Sequence, residues 1–186
     1  MNKQALRKIY IEKRAEISEE TVSDWSIEIA NKVLTLPIWG SQIYHLFLPI
    51  TSKKEVDTSF LLSVLQGKDK EVLVPKVTPE GTLEHYLLTD ATPLRVNRWG
   101  IPEPTQGIRV SEHQIEVVFV PLLAFDQQGH RIGYGKGMYD GFLQKCSPNV
   151  IKVGLSFFEA EAKFKEVFET DIALNYCVTP QNVYRF

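Results

Sequence analysis

From Val117 to Phe125 the chain is apolar at nine consecutive positions, with Pro121 in the middle. A strand with one face in water alternates apolar and polar residues. An unbroken apolar run describes a strand buried on both faces, as at the centre of a largely parallel sheet. The run is too short to be a membrane span, which needs about 20 apolar residues.

The flanking segments supply the other layers. Residues 2–17 put Leu6, Ile9, Tyr10 and Ile17 on one helical stripe. Ser18 is placed to cap a second helix, with Glu19 and Glu20 in its first turn, Val22, Trp25, Ile29 and Val33 on its buried face and Pro37 at its end. Residues 43–48 read as a buried strand and 58–65 as a short helix. Residues 72–77 and 83–88 read as strands around the turn Pro79-Glu80-Gly81. Residues 92–107, with three prolines and two glycines, read as an ordered loop. A helix is expected from about Met138, a strand at 150–155, a helix at 159–168 and a closing strand near Cys177. Strands alternating with helices predict a single-domain, three-layer α/β/α fold with a largely parallel central sheet.

At 186 residues the length suits one domain. The 44% hydrophobic and 24% charged content excludes a disordered chain. A net charge of −2 argues against a general nucleic-acid binder but leaves room for a local basic pocket. The N-terminus is charged at once and has no signal-peptide core, so the expected location is the cytoplasm; a monomer is also expected. Cys146 and Cys177 fit two free thiols better than a disulfide in that compartment. Histidines 45, 85, 113 and 130 have no metal-ligand spacing, and no nucleophile-elbow motif occurs.

Chemistry concentrates after the central strand, where open α/β sheets place their ligands. The segment Arg131-Ile132-Gly133-Tyr134-Gly135-Lys136-Gly137-Met138-Tyr139-Asp140 carries three alternating glycines and runs into a helix. It is neither a Walker A loop nor a Rossmann fingerprint. Glycines let backbone N–H groups converge on an anion at a helix start, and Arg131 and Lys136 add charge suited to phosphate. Asp140 either complements the helix dipole or ligates Mg²⁺ beside phosphates, and the residues alone leave both open. Lys3, Arg7 and Arg14 return to one face of the first helix. Such a stripe is ordinarily a solvated face, or here an edge leaning over a phosphate pocket.

Arg131 to Asp140, together with Lys3 and Arg7, resembles the 5-formyltetrahydrofolate cyclo-ligase (methenyltetrahydrofolate synthetase) family. The segments Phe47-Leu48-Pro49, Glu55-Val56-Asp57-Thr58, Val74-Pro75-Lys76, Gly100-Ile101-Pro102-Glu103-Pro104 and Val120-Pro121-Leu122-Leu123-Ala124-Phe125-Asp126 match it in family order. The resemblance implies that ATP, with Mg²⁺, drives 5-formyltetrahydrofolate to 5,10-methenyltetrahydrofolate. Lys3, Arg7, Arg131, Ile132, Gly133, Tyr134, Gly135, Lys136, Gly137, Met138 and Tyr139 would hold the nucleotide, with Lys136 and Arg131 catalytic. Ile50, Glu55, Trp99 and residues 134–138 would border the folate, and Asp140 and Asp171 would serve the metal. Taken alone, Trp99 reads as core packing, Glu55 as a solvated turn carboxylate and Asp171 as a loop carboxylate or cap, while Ile50 carries no signal. Met138 stands where tyrosine is common, and Asn175 where a second aspartate often follows Asp171. Two other readings stay open: a phosphotransfer enzyme with a different substrate, and a nucleotide- or folate-binding module without turnover. Lys136 and Asp140 weigh against the module.

Overall fold

The computed structural model describes residues 1–186. In chain order the elements are α1 (Lys3–Ala15), α2 (Glu19–Val33), β1 (Ile43–His45), α3 (Ser59–Gly67), β2 (Glu71–Val77), β3 (Leu83–Leu87), β4 (Leu94–Val96), β5 (Pro102–Pro104), β6 (Val117–Pro121), β7 (Ala124–Phe125), β8 (Arg131–Ile132), α4 (Met138–Lys145), β9 (Ile151–Leu155), β10 (Tyr176–Val178) and β11 (Val183–Arg185). A 3-10 turn, Thr51–Lys53, follows β1. The two N-terminal helices are capped as their sequences demand. Asn2 accepts a bond from the amide of Ala5, and Ser18 one from the amide of Thr21.

Seven strands form one sheet in the order β11-β10-β9-β6-β1-β2-β3. The five inner strands are parallel, and antiparallel β3 and β11 close the edges. β6 lies between β1 and β9, and Val117 to Val120 are fully buried. Its residues alternate between two cores. Val117 and Phe119 pack with Ile29, Val33, Leu61 and Leu65 from α2 and α3, while Val118 and Val120 pack with Phe142 and Leu143 from α4. Helices therefore cover both faces, giving the expected α/β/α layering. α1 joins a third cluster, with Leu6 and Tyr10 against Leu123 of the β6–β7 connection, Ala124 of β7 and Ile132 of β8. No helix is long and apolar enough to cross a membrane.

Several local expectations change. The apolar run is two elements, because Pro121 has no N–H for the sheet; beyond it the chain leaves β6, and Ala124–Phe125 pairs instead with Arg131–Ile132. The strand expected at 43–48 stops at His45, and α2 ends at Val33, four residues before Pro37. The loop expected at 92–107 contains the hairpin β4–β5, which Asn97 closes by accepting from the amides of Trp99 and Ile101. Its prolines, at 102 and 104, lie on a short two-stranded ribbon where proline is tolerated. The helix expected at 159–168 is absent. Its backbone bonds sideways instead: the Glu161 amide to the Phe125 carbonyl, the Gln127 amide to the carbonyls of 161 and 162, and the Phe164 amide to the Asp126 carboxylate. After the strand at Cys177 a further strand, β11, turns back antiparallel. Cys146 and Cys177 are buried free thiols.

The structure also brings together two histidines that lie far apart in sequence. His45 and His85 are buried, with His85 Nδ1 3.0 Å from His45 Nε2 and the Phe142 ring stacked on His85. Burial lowers both pKa values, that of His85 to about 4. The folded state thus keeps the rings neutral while the unfolded chain binds protons below about pH 6.5, so stability falls as the pH drops from 6.5 towards 4. For His85 alone the loss is on the order of 3 kcal/mol. A His45→Leu/His85→Leu double variant is expected to show a shallower fall in urea midpoint between pH 7 and 4.5 than the wild type.

Gly154 on β9 tests the packing. A methyl group there would lie 2.7 Å from Leu122 Cδ2 and Leu174 Cδ1, both held in the core. Gly154→Ala is expected to cost roughly 1–3 kcal/mol in urea unfolding.

Candidate active site

Consecutive parallel strands leave β1 in opposite directions across the sheet, β2 on one side and β6 on the other. At such a divergence the connections part, and a crevice opens beyond the carboxyl ends of the strands. It holds a cavity of about 510 Å³, within the range of small-molecule sites. Phe47 and Leu48 beyond β1, Pro75 and Val77 of β2 and Pro121 of β6 form its floor. The glycine loop and α1 form one wall, and the hairpin tip at Trp99 another.

The loop's shape follows from its glycines at two points. Gly135 has φ +86°, and a Cβ there would sit 3.1 Å from Arg7 Cζ. Arg7 Nε donates to the Gly133 carbonyl at 2.9 Å, so α1 and the loop are clasped where only glycine fits. Gly137, also left-handed at φ +66°, starts α4 without a side-chain cap. The first-turn amides of α4 are thus left without a capping side chain at the cavity, with the positive end of the helix dipole behind them.

Five cations line the cavity, Lys3, Arg7, Lys53, Arg131 and Lys136, against the carboxylates Glu55, Asp140 and Asp171. Two of these pairs neutralise each other. Lys3 Nζ, over the Phe168 ring, is ion-paired with Asp171, and Arg131 Nη2 lies 2.8 Å from Asp140 Oδ1. Backbone amides complete both carboxylates, Phe168 on Asp171 Oδ2 and Ile172 on Asp140 Oδ1. Burial opposes ionisation of Asp171, but the Lys3 ammonium and the Phe168 amide outweigh it and hold its pKa below the usual carboxylate range. In each carboxylate the bonds converge on one oxygen, leaving the other available to the cavity. No three of the chain's His, Cys, Asp or Glu side chains gather to hold a metal by themselves. Two carboxylates with spare oxygens beside an anion site do suit Mg²⁺, which takes one or two carboxylates and completes its shell with phosphate and water.

Lys136 is exposed and rests its ammonium 4.9 Å from the Trp99 ring centre, with Arg98 also over that ring. Trp99 is therefore a half-exposed rim residue rather than core packing. Glu55 is buried, and burial raises its pKa against the opposing pull of the Ile50 amide, Arg14, the Tyr134 hydroxyl and Lys53.

Lys3, Arg7, Ile50, Glu55, Trp99, Arg131, Gly133 to Asp140 and Asp171 all border this cavity. Ile132 does not; alternation along β8 turns it into the core with Leu6 and Tyr10. Asn175 is also outside, its side chain accepting from the Lys152 amide at the β9–β10 junction. Lys53 and Phe168 also line the cavity, and neither was among the residues expected there. Lys53 lies between Ile50 and Glu55, a proximity that could have flagged it, whereas Phe168 was hidden in the expected helix. The basic stripe on α1 is no solvated face, since Lys3 and Arg14 are buried.

A model of the 5-formyltetrahydrofolate cyclo-ligase family matches residues 1–167. A relative from Schizosaccharomyces pombe described as a probable 5-formyltetrahydrofolate cyclo-ligase is 31% identical, covering 100% of this chain and 98% of its own length. The solution structure of Aquifex aeolicus 5,10-methenyltetrahydrofolate synthetase superposes with a TM-score of 0.85 at 34% identity, over 100% of this chain and 93% of that one. A 5,10-methenyltetrahydrofolate synthetase structure from Mycoplasma pneumoniae shares the fold, with a TM-score of 0.73 at 22% identity over 97% and 99% of the two chains.

Gly135→Ala is expected to weaken binding of inorganic triphosphate at least about tenfold in calorimetry. An alanine at that φ costs about 1–2 kcal/mol and its methyl presses on the Arg7 clasp. Unchanged affinity would mean that the loop does not shape the anion site.

Proposed function

Because the chain belongs to the 5-formyltetrahydrofolate cyclo-ligase family, we propose that it cyclises 5-formyltetrahydrofolate to 5,10-methenyltetrahydrofolate in a reaction driven by ATP with Mg²⁺. The observation that carries this reading is the convergence of five cations and an uncapped helix start on one cavity that also holds a buried carboxylate. Such a cavity can take a polyanion at one end and a hydrogen-bonding heterocycle at the other.

A formyl oxygen is a poor leaving group, which gives the nucleotide its chemical purpose. That oxygen attacks the γ-phosphorus and ADP departs, leaving the oxygen phosphorylated. N10 of the folate then attacks the formyl carbon, the ring closes, N10 loses its proton to the departing phosphate, and the C–O bond breaks to release it. The protein's contribution is positioning and charge stabilisation, as in other phosphoryl transfers. Lys3, Arg7 and the loop amides from Gly133 to Tyr139 cradle the phosphates. Lys136, exposed on the rim, reaches the transferring group and stabilises its developing charge. Arg131, tied to Asp140 and the Ile172 carbonyl, orients that carboxylate as well as adding charge. Asp140 and Asp171 would hold Mg²⁺ through their free oxygens, and the ion would there neutralise phosphate charge. Phosphate entering beside Lys3 also competes for its ammonium, which frees Asp171. Glu55 receives the donor edge of the pterin, Ile50 packs beside it and Trp99 closes over a flat ring. We further propose that the chain acts as one domain, as a monomer in the cytoplasm, with no nucleic-acid partner.

The test is to mix protein, 5-formyltetrahydrofolate, ATP and Mg²⁺ and follow the near-ultraviolet absorbance of the methenyl product. Growth that requires all three additions is expected. Lys136→Ala should lower kcat about 100-fold or more, and Asp140→Asn should raise the Mg²⁺ concentration needed for half-maximal rate. No product from a folded sample would sink the assignment.

A further inference from the structure

Behind the cavity wall lies a buried polar chain that neither the phosphate site nor the metal site uses. Arg14, on α1, is 6% exposed, and so is Glu55. The two do not meet directly. Arg14 Nη2 donates to the Tyr134 hydroxyl, which in turn donates to Glu55 Oε1 at 3.0 Å. A phenol can accept one bond and donate another, so it links the buried cation to the buried anion. The second carboxylate oxygen, Oε2, takes the Ile50 amide at 2.7 Å. Arg14 has little else to hold it: its Nη1 is 3.5 Å from the Leu122 carbonyl, and its Nε is buried without a partner. The turn carrying Glu55 is tethered to the same helix, because Lys54 Nζ donates to the carbonyls of Ala15 and Ile17.

We propose that Arg14 is a positioning residue for folate recognition, acting through the Tyr134 hydroxyl to keep Glu55 ionised and in a single orientation at the pterin end of the cavity. The inference rests on the cyclo-ligase reading above and adds to it a residue that does not line the cavity. The physical need is plain. The pterin presents a ring N–H and an amino group side by side, and only an ionised carboxylate can accept from both. Burial favours the neutral acid, which would turn one acceptor into a donor. The groups facing Glu55 are Arg14 from α1, Lys53 from the 3-10 turn, and the phenols of Tyr134 from the loop and Tyr139 from α4. Lys53 lies over the Tyr134 ring, 4.2 Å from its centre, and reaches the exposed side of the network. Arg14 supplies the counter-charge from the buried side. The chain also ties the glycine loop to the folate end, since Tyr134 lies between Gly133 and Gly135, the two residues clasped by Arg7.

The experiment measures KM for 5-formyltetrahydrofolate and for ATP separately, from pH 5.5 to 8, with urea midpoints as a check on folding. The proteins are the wild type, Tyr134→Phe, Arg14→Met and Arg14→Lys. Tyr134→Phe and Arg14→Met should raise the folate KM about tenfold or more. The ATP KM should stay within about twofold, and the acid limb of folate kcat/KM should move to higher pH by about one unit, because each change removes support for the Glu55 anion. Arg14→Lys should recover part of the loss. If Arg14→Met does not fold, Tyr134→Phe carries the same test, since it removes one hydroxyl and keeps the ring. Folded variants with an unmoved pH limb, or with folate and ATP KM rising together, overturn the inference. A wild-type chain that makes no product overturns the cyclo-ligase reading as well, whereas an active wild type with unaffected variants overturns this inference alone.

Discussion

The site depends on the parting of β1 from its two neighbours at the centre of the sheet. Parallel strands need long crossovers, and the crossovers from β1 to β2 and from β6 to β9 run over opposite faces of the sheet, through α3 and α4. The carboxyl end of β1 therefore faces a gap with no helix over it. Much of the cavity lining reaches that gap from the ends of these strands: residues 47–55 after β1, Pro75 and Val77 at the end of β2 and residues 131–141 after β6. Lys3 and Arg7 come from α1, Trp99 from the β4–β5 hairpin and Asp171 from the segment before β10. The sheet beneath is rigid because β6 is packed on both faces. A loop can hold an awkward glycine geometry only over such a base.

A concentration of positive charge is unfavourable in the absence of its ligand, and the structure answers this with paired charges. Lys3 rests on Asp171, Arg131 on Asp140, and Arg14 on Glu55 through a phenol. Each pair offsets one charge, so the five lining cations against three carboxylates leave only a modest positive excess in the cavity. Lys136 follows another rule. It has no carboxylate partner and lies on an indole face, a weaker hold than an ion pair.

The architecture was legible in the chain because periodicity and burial are local signals. The unbroken apolar run announced a doubly covered strand, and the 3.6-residue stripes of Leu6, Tyr10, Ile29 and Val33 announced helices that bury those faces. The place of the glycine loop was legible too: alternating glycines interrupt regular structure, and the chain resumes as α4 at Met138. The segment 159–168 misled because its helix propensity is real but small. Bonds to Phe125, Gln127 and Asp126 outweigh it, and those partners lie more than thirty residues away in sequence.

What the amino-acid order determined by itself was the layering of the fold, the position of the glycine loop at the start of α4 and, through matching segments along the chain, the family. Tertiary structure alone decided which charges meet. That Lys3 pairs with Asp171, that Arg7 packs on a glycine at 135, that two distant histidines hydrogen-bond in the core, and that the Tyr134 hydroxyl links Arg14 to Glu55 are facts of contact between distant parts of the chain. Backbone periodicity reports only whether a side chain is turned inward. The identity of its partner depends on how the layers dock, and that is set by the packing of the whole core.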